Sequence, residues 1–291
     1  MTRNLRTIFL TLLAALALLT GCGDDTTTAP VVDQLTADKD VAEAVAADLG
    51  SDDGGLADQL SDLSISLDGL SAAKLDPADF MGPRNGFVSR DYDEATGTWT
   101  VTIDRERGDP EGTPYARIDR VYTLRFLDEA GEPMQFRVVD EDTARTVEFD
   151  IVSGSGEHRT RRMEQELTEL SGSLVVTGVN TDIMTVNGNY HRAAGHHIET
   201  PAFSRTLDGV LDFELIDVVM PRGPRHNHAA ALSGTIVGTF VADITFERGD
   251  VSTEEHIERE FTIILGDGEG DMLMNGQRFR MRLDCGELVD E

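Results

Sequence analysis

The chain has 291 residues, of which 54 are Asp or Glu and 25 are Lys or Arg, giving a formal charge of −29. A polymer this acidic is repelled by phosphate backbones and anionic lipid headgroups, which excludes nucleic acid and charged membrane surfaces as ligand classes.

The N-terminus carries Arg3 and Arg6, then an apolar stretch from Ile8 to Leu19 broken only by Thr11, the pattern of an export signal. Its roughly 12 apolar residues fall short of the ~20 that span a bilayer. The stretch ends in Leu19-Thr20-Gly21-Cys22. This motif resembles the lipobox of bacterial lipoproteins. The resemblance implies that residues 1–21 are a signal peptide cut just before Cys22, and that Cys22 carries a diacylglycerol on sulfur and usually an acyl chain on its amino group. It also implies a cell-envelope location, with Gly23 rather than Asp after the cysteine favouring the outer membrane. Two or more acyl chains anchor stably where one does not. The alternative is an ordinary secreted protein with a structural Cys22. If Cys22 is lipidated, Cys285 has no disulfide partner, and the acids in "RLDCGEL" push its thiol away from reactivity.

Residues 22–82 are rich in Asp, Ala, Ser, Thr and Leu and contain no Arg, so this stretch reads as an acidic tether unable to build a core alone. As a coil its roughly 60 residues would span about 40 Å. Two pieces have helical spacing. In "DVAEAVAADLG", Val41, Val45 and Leu49 share a face, Asp40 and Glu43 fit an N-cap and capping-box pair, and Gly50 fits the stop. In "GGLADQLSDLSISL", Leu56, Leu60, Leu63 and Leu67 share a face. Helices this short are marginal in water, so their leucines need a cover, and packing on the main domain is the expected use.

From about residue 83 to 291 the period changes to two, and turns separate segments rich in Val, Ile, Thr, Phe and Tyr. "TWTVTID", "RVYTLRFLD", "MQFRVVD", "RTVEFDIVSG", "SGSLVVTGV", "DIMTVNGNYHR", "GVLDFELIDVVM", "SGTIVGTFVADITFERG", "EREFTIILG" and "FRMRLDCGEL" are predicted strands. "HRTRRMEQELTEL" has apolar spacing that also suits a helix, but strand is favoured by its neighbours. "DEAGEP", "VNGN" and "MNGQ" are hairpin signals. The expectation is a single all-β domain, an antiparallel meander of about ten or more strands forming a curved sheet, half-barrel or barrel, with a sandwich as the alternative. Charges in nearly every strand argue against a membrane-embedded barrel.

Candidate chemistry is sparse. His191, His196 and His197 precede one proposed hairpin, and His226 and His228 follow it. If the two clusters met, they would form a site for zinc, copper or nickel, although "AAGHHIETP" and "PRGPRHNHAA" read as loops. Asp267, Glu269 and Asp271 start like a calcium loop, but Arg278 stands at the twelfth position, so a hairpin loop is expected. No nucleophile elbow or phosphate-cradling loop is present. Three functions follow. The first is a non-enzymatic membrane-anchored lipoprotein binding an envelope protein, glycan or apolar ligand, recognisable by an apolar cavity or exposed apolar patch. The second is a metal-binding lipoprotein, and the third an enzyme with no recognisable motif.

Overall fold

The computed structural model describes residues 34–51, 54–70, 86–139, 141–161, 163–200, 203–223, 229 and 232–289. The expected signal peptide, Cys22, His226 and His228 lie outside these residues.

Two helices, α1 (Gln34–Leu49) and α2 (Leu56–Gly69), precede the strands. These are β1 (Gly86–Asp93), β2 (Thr98–Gly108), β3 (Tyr115–Leu127), β4 (Pro133–Met134), β5 (Val138–Val139), β6 (Asp142–Thr143), β7 (Thr146–Arg159), β8 (Met163–Thr177), β9 (Ile183–Glu199), β10 (Ser204–Pro221), β11 (Ser233–Arg248), β12 (Val251–Gly266), β13 (Glu269–Met274), β14 (Gln277–Arg282) and β15 (Glu287–Leu288). β1, β2, β3 and β7 to β15 form one antiparallel sheet in that order, with β4 beside β3, while β5 and β6 pair as a separate two-stranded sheet. Strand follows strand in the meander expected, and the ends of the sheet do not meet, so it is an open curved sheet rather than a closed barrel or a sandwich.

The period-two alternation explains the two faces. On β10, Leu207, Leu211, Phe213 and Leu215 are buried while Asp208, Asp212 and Glu214 are exposed. One inner-face position has no side chain because none fits. A Cβ on Gly209 would lie 2.6 Å from the Phe240 ring of β11.

The apolar inner face is covered by the helices. Val41, Val45, Leu49, Leu56, Leu60, Leu63 and Leu67 are each at most 2% exposed and share one core with the inner faces of β2 to β14. The sheet curls so far around the hairpin that both of its ends reach it. Arg105 of β2 bonds Asp58 and Asp62 of α2, while Ser51, just after α1, donates its N–H to Leu283 and its hydroxyl to Asp284, past β14. Residues 34–69 therefore belong to the same compact unit as the strands, which runs from Val32 to Glu291. This moves the domain boundary forward from the expected residue 83. The leucines find their cover inside the sheet, and the tether expected over 22–82 loses its helical half to the core.

Local expectations fail where tertiary contacts override them. α1 starts at Gln34, so Asp40 is a mid-helix residue and not a cap. Its carboxylate is taken by Arg205 of β10. "VNGN" is no turn. Val186 to Asn189 run through the middle of β9, and Gly188 is needed because a Cβ there would approach Ser173 O of β8 to 2.1 Å. "MQFRVVD" yields only the two-residue pieces β4 and β5. "AAGHHIETP" is strand as far as Glu199. "MNGQ" turns as expected, with Asn275 and Gly276 both at positive φ, and "HRTRRMEQELTEL" contributes strand β8.

If the helices are core, truncating one of their leucines must cost what a core cavity costs. Leu63→Ala should lose about 2–5 kcal/mol in urea unfolding. A loss near zero would place α2 outside the folded unit.

Candidate functional site

The interior carries charge as well as leucine. Asp38, Asp40, Asp48 and Asp62 are at most 3% exposed, and each meets an arginine on the inner face of the sheet. Asp38 accepts from Arg259 of β12 at 2.6 Å and from Asn275 at 3.2 Å. Asp48 holds Arg192 of β9 at 2.8 Å and His196 Nε2 at 3.3 Å, and accepts from Gln165 of β8 at 2.8 Å. Asp58 and Asp62 together hold Arg105 and Arg120 at 2.9 to 3.0 Å, and Tyr122 donates its hydroxyl to Asp62 at 3.1 Å. The turn between the helices joins the network. Gly54 O accepts from Arg120, from Arg192 at 3.4 Å and from Gln59 at 3.4 Å, while Gln59 also donates to Tyr190 at 2.8 Å.

The electrostatics follow from burial against pairing. Burial alone would raise the pKa of Asp48, but Arg192 and His196 outweigh it and hold the carboxyl below its ordinary value. Asp62 moves the other way, raised by burial and by repulsion from Asp58 against the pull of Arg105 and Arg120. Burial likewise pushes Asp40 up to about 7, outweighing Arg205. Tyr122 is raised far above the usual phenol range by burial, so it stays a proton donor to Asp62. Among the described residues, each arginine of this cluster is spent on a carboxylate, and no serine, threonine or cysteine side chain bonds His196. The cluster is built to hold the hairpin.

The outer face carries two further features. One is an open groove of about 720 Å³ across β3, β7, β8, β9 and β10, lined by Glu157, Glu164, Glu166, Asp208 and His197 and reaching Gln165 and His196. The other is an apolar patch. Ile216 (37% exposed), Val237 (42%), Ile264 (55%) and Leu273 (54%) lie on neighbouring strands β10, β11, β12 and β13. Register ties them together, with Ile216 opposite Thr235, Thr235 opposite Ile264, Val237 opposite Thr262, and Thr262 opposite Leu273.

Of the expected metal ligands, the described ones do not converge. His191, His196 and His197 are all on β9. Adjacent strand residues point to opposite faces, so buried His196 and half-buried His197 cannot share an ion. His191 is bonded to Asp212 at 2.7 Å and His197 to Thr206 at 3.1 Å. Among the described residues no three His, Cys, Asp or Glu side chains are placed to hold a metal ion. Asp271, proposed above as the third carboxylate of a loop, is a strand residue clasped by Arg278 and Arg280. Cys285 is a free thiol whose pKa is raised by burial, the direction its acidic neighbours suggested.

The buried arginines were readable in principle. Ile118, Arg120, Tyr122, Leu124 and Phe126 share one parity on β3, and so do Tyr190, Arg192, Ala194 and His196 on β9. A charge on the apolar parity of a strand signals a buried partner. No protein-family model, curated protein or solved structure matches this chain.

Asp40 yields a signed pH dependence. Between about pH 4 and 7 the folded state keeps a proton on Asp40 that the unfolded chain has lost, so its contribution to stability falls as pH rises through that window and is flat above it. Asp40→Asn removes this slope. Relative to the native chain it should gain stability from pH 4 to 8, by at most about 4 kcal/mol. Parallel unfolding curves at both pH values, with no relative gain, would show that Asp40 is ionised in the fold.

Proposed function

We propose that this is a lipid-anchored envelope protein, held by Cys22, whose β domain is a non-enzymatic docking module for a partner protein. What carries this reading is the contrast between the two faces of the sheet. The concave side, where an apolar ligand would be carried, is filled by the leucines of α1 and α2, whereas on the convex side the neighbouring Ile216, Val237, Ile264 and Leu273 stay open to solvent as a cluster. An exposed cluster of this kind on a soluble face is the usual mark of an interaction surface.

The patch also limits its occupant. Asp212, Glu214 and Asp217 border it on β10, and Arg278 and Arg280 on β14 are already engaged by Asp271. With a chain charge of −29, a second copy would bring like charge against like, so the partner is a different protein with an apolar centre and Lys or Arg at its rim. The anchor keeps such a partner close. The stretch from Cys22 to Gln34 reaches at most about 40 Å even when fully extended.

Two experiments separate the halves of the reading. Cys22→Ser should abolish lipid labelling and release the protein from membranes, and an unchanged membrane fraction would refute the anchor. A photo-crosslinking residue at Ile264 should give one salt-sensitive adduct in cells that is lost on adding Val237→Asp, with thermal stability preserved. The same residue at exposed Phe87 on β1 should give none. Equal labelling from both positions would rule out the patch.

A further inference from the structure

We propose that Asn275 is a site of spontaneous deamidation, and that its conversion to aspartate unlatches the first turns of α1 from the sheet. The step is an intramolecular attack. The backbone nitrogen of the next residue bonds to the asparagine Cγ, its proton passing to a solvent base, while the Cγ–Nδ2 bond breaks and ammonia leaves. Water then opens the cyclic imide to aspartate or isoaspartate. A following glycine favours the reaction, because no side chain shields the nitrogen and the backbone can turn into the attacking geometry.

The sequence has Asn-Gly steps at Asn85, Asn187 and Asn275, and Asn85 lies outside the described residues. The other two stand in opposite settings. Asn187 and Gly188 run through β9 between two strands, with Gly188 opposite Leu174 of β8 and Leu215 of β10. Asn187 Oδ1 also accepts the Asp217 N–H at 2.7 Å, so both reacting groups are held. Asn275 and Gly276 are instead the two exposed turn residues between Met274 of β13 and Gln277 of β14, at φ of 51° and 76°. Among the described residues no backbone carbonyl accepts from the Gly276 N–H, and a Cβ on Gly276 would meet nothing within 4 Å.

The side chain of Asn275 is what gives the reaction a consequence. Its Nδ2 donates to both carboxylate oxygens of Asp38 on α1, at 3.2 and 3.3 Å, and Asp38 is fully buried. The other partner of that carboxylate is Arg259 at 2.6 Å. The amide is therefore the neutral half of a clamp. Replacing it with a carboxylate removes a donor from a buried acceptor and sets a second negative charge against the first, with Arg259 as the cation for both. Separation of the turn from α1 relieves the repulsion. Further along the helix Arg205 still holds Asp40 and Arg192 still holds Asp48, so the release is confined to the first turns.

Purified full-length protein held in mildly alkaline buffer and digested at intervals tests the site. By mass spectrometry the peptide carrying Asn275 should gain the mass that separates OH from NH2, with isoaspartate beside aspartate, well before the peptide carrying Asn187, and Asn275→Gln should stop the gain. No conversion at Asn275, or equal rates at the two positions, would overturn the site. Hydrogen exchange tests the latch. In Asn275→Asp, and in the converted fraction of the native chain, amides of residues 38–42 should exchange about tenfold or more faster than in the unconverted protein, and faster than in Asn275→Ala, while β9 and β10 stay protected. Exchange no faster than in Asn275→Ala would mean a lost hydrogen bond without repulsion and would overturn the unlatching.

Discussion

A carboxylate inside an apolar sheet must find a cation, and in this chain that requirement joins its two halves. The segment 23–82 contains no arginine and places Asp38, Asp40, Asp48, Asp58, Asp62 and Asp68 on two short helices. Their partners, Arg259, Arg205, Arg192, Arg105, Arg120 and Arg222, stand on or beside strands from one end of the sheet to the other. Leucine burial supplies the driving force for placing a helical hairpin on a curved sheet, but it is non-directional. The ion pairs are directional, and each fits one position. They favour one seating of the hairpin because a slipped one would leave several charges buried and unpaired, at a cost of about 3–5 kcal/mol for each broken pair.

That seating determines what the sheet can do. An antiparallel meander with one apolar face has to cover that face, and closing around a ligand cavity is one way. Here the chain covers it with its own N-terminal segment, and the inner face is spent on folding. The surface left for other molecules is outside, the aliphatic patch on β10 to β13.

Much of the fold was legible because alternation is a local property. Leu211, Phe213 and Leu215 against Asp212 and Glu214 declare a half-buried strand without reference to anything distant. The helices were legible from the spacing of Leu56, Leu60, Leu63 and Leu67. Their location was not, since an amphipathic face states that it needs a cover and not which cover. Asp40 was misread as a cap for the same reason, as the arginine that claims it lies 165 residues away. The Asn-Gly of "VNGN" carried a turn signal, but Gly188 serves a close backbone approach between β8 and β9. The histidines of β9 resembled a ligand cluster in sequence, whereas strand geometry splits His196 from His197. The outer groove had no sequence signal, because Glu157, Glu166 and Asp208 become neighbours only through register.

α1 and α2 are interior elements clasped by the sheet. Hydrogen exchange of the intact protein, followed by mass spectrometry, tests it most directly. Backbone amides across Val41–Leu49 and Leu56–Leu67 should exchange as slowly as those of β9 and β10, released only by global unfolding. Exchange of these amides within seconds, while β9 and β10 remain protected, would show that the helices belong to a tether and would contradict it.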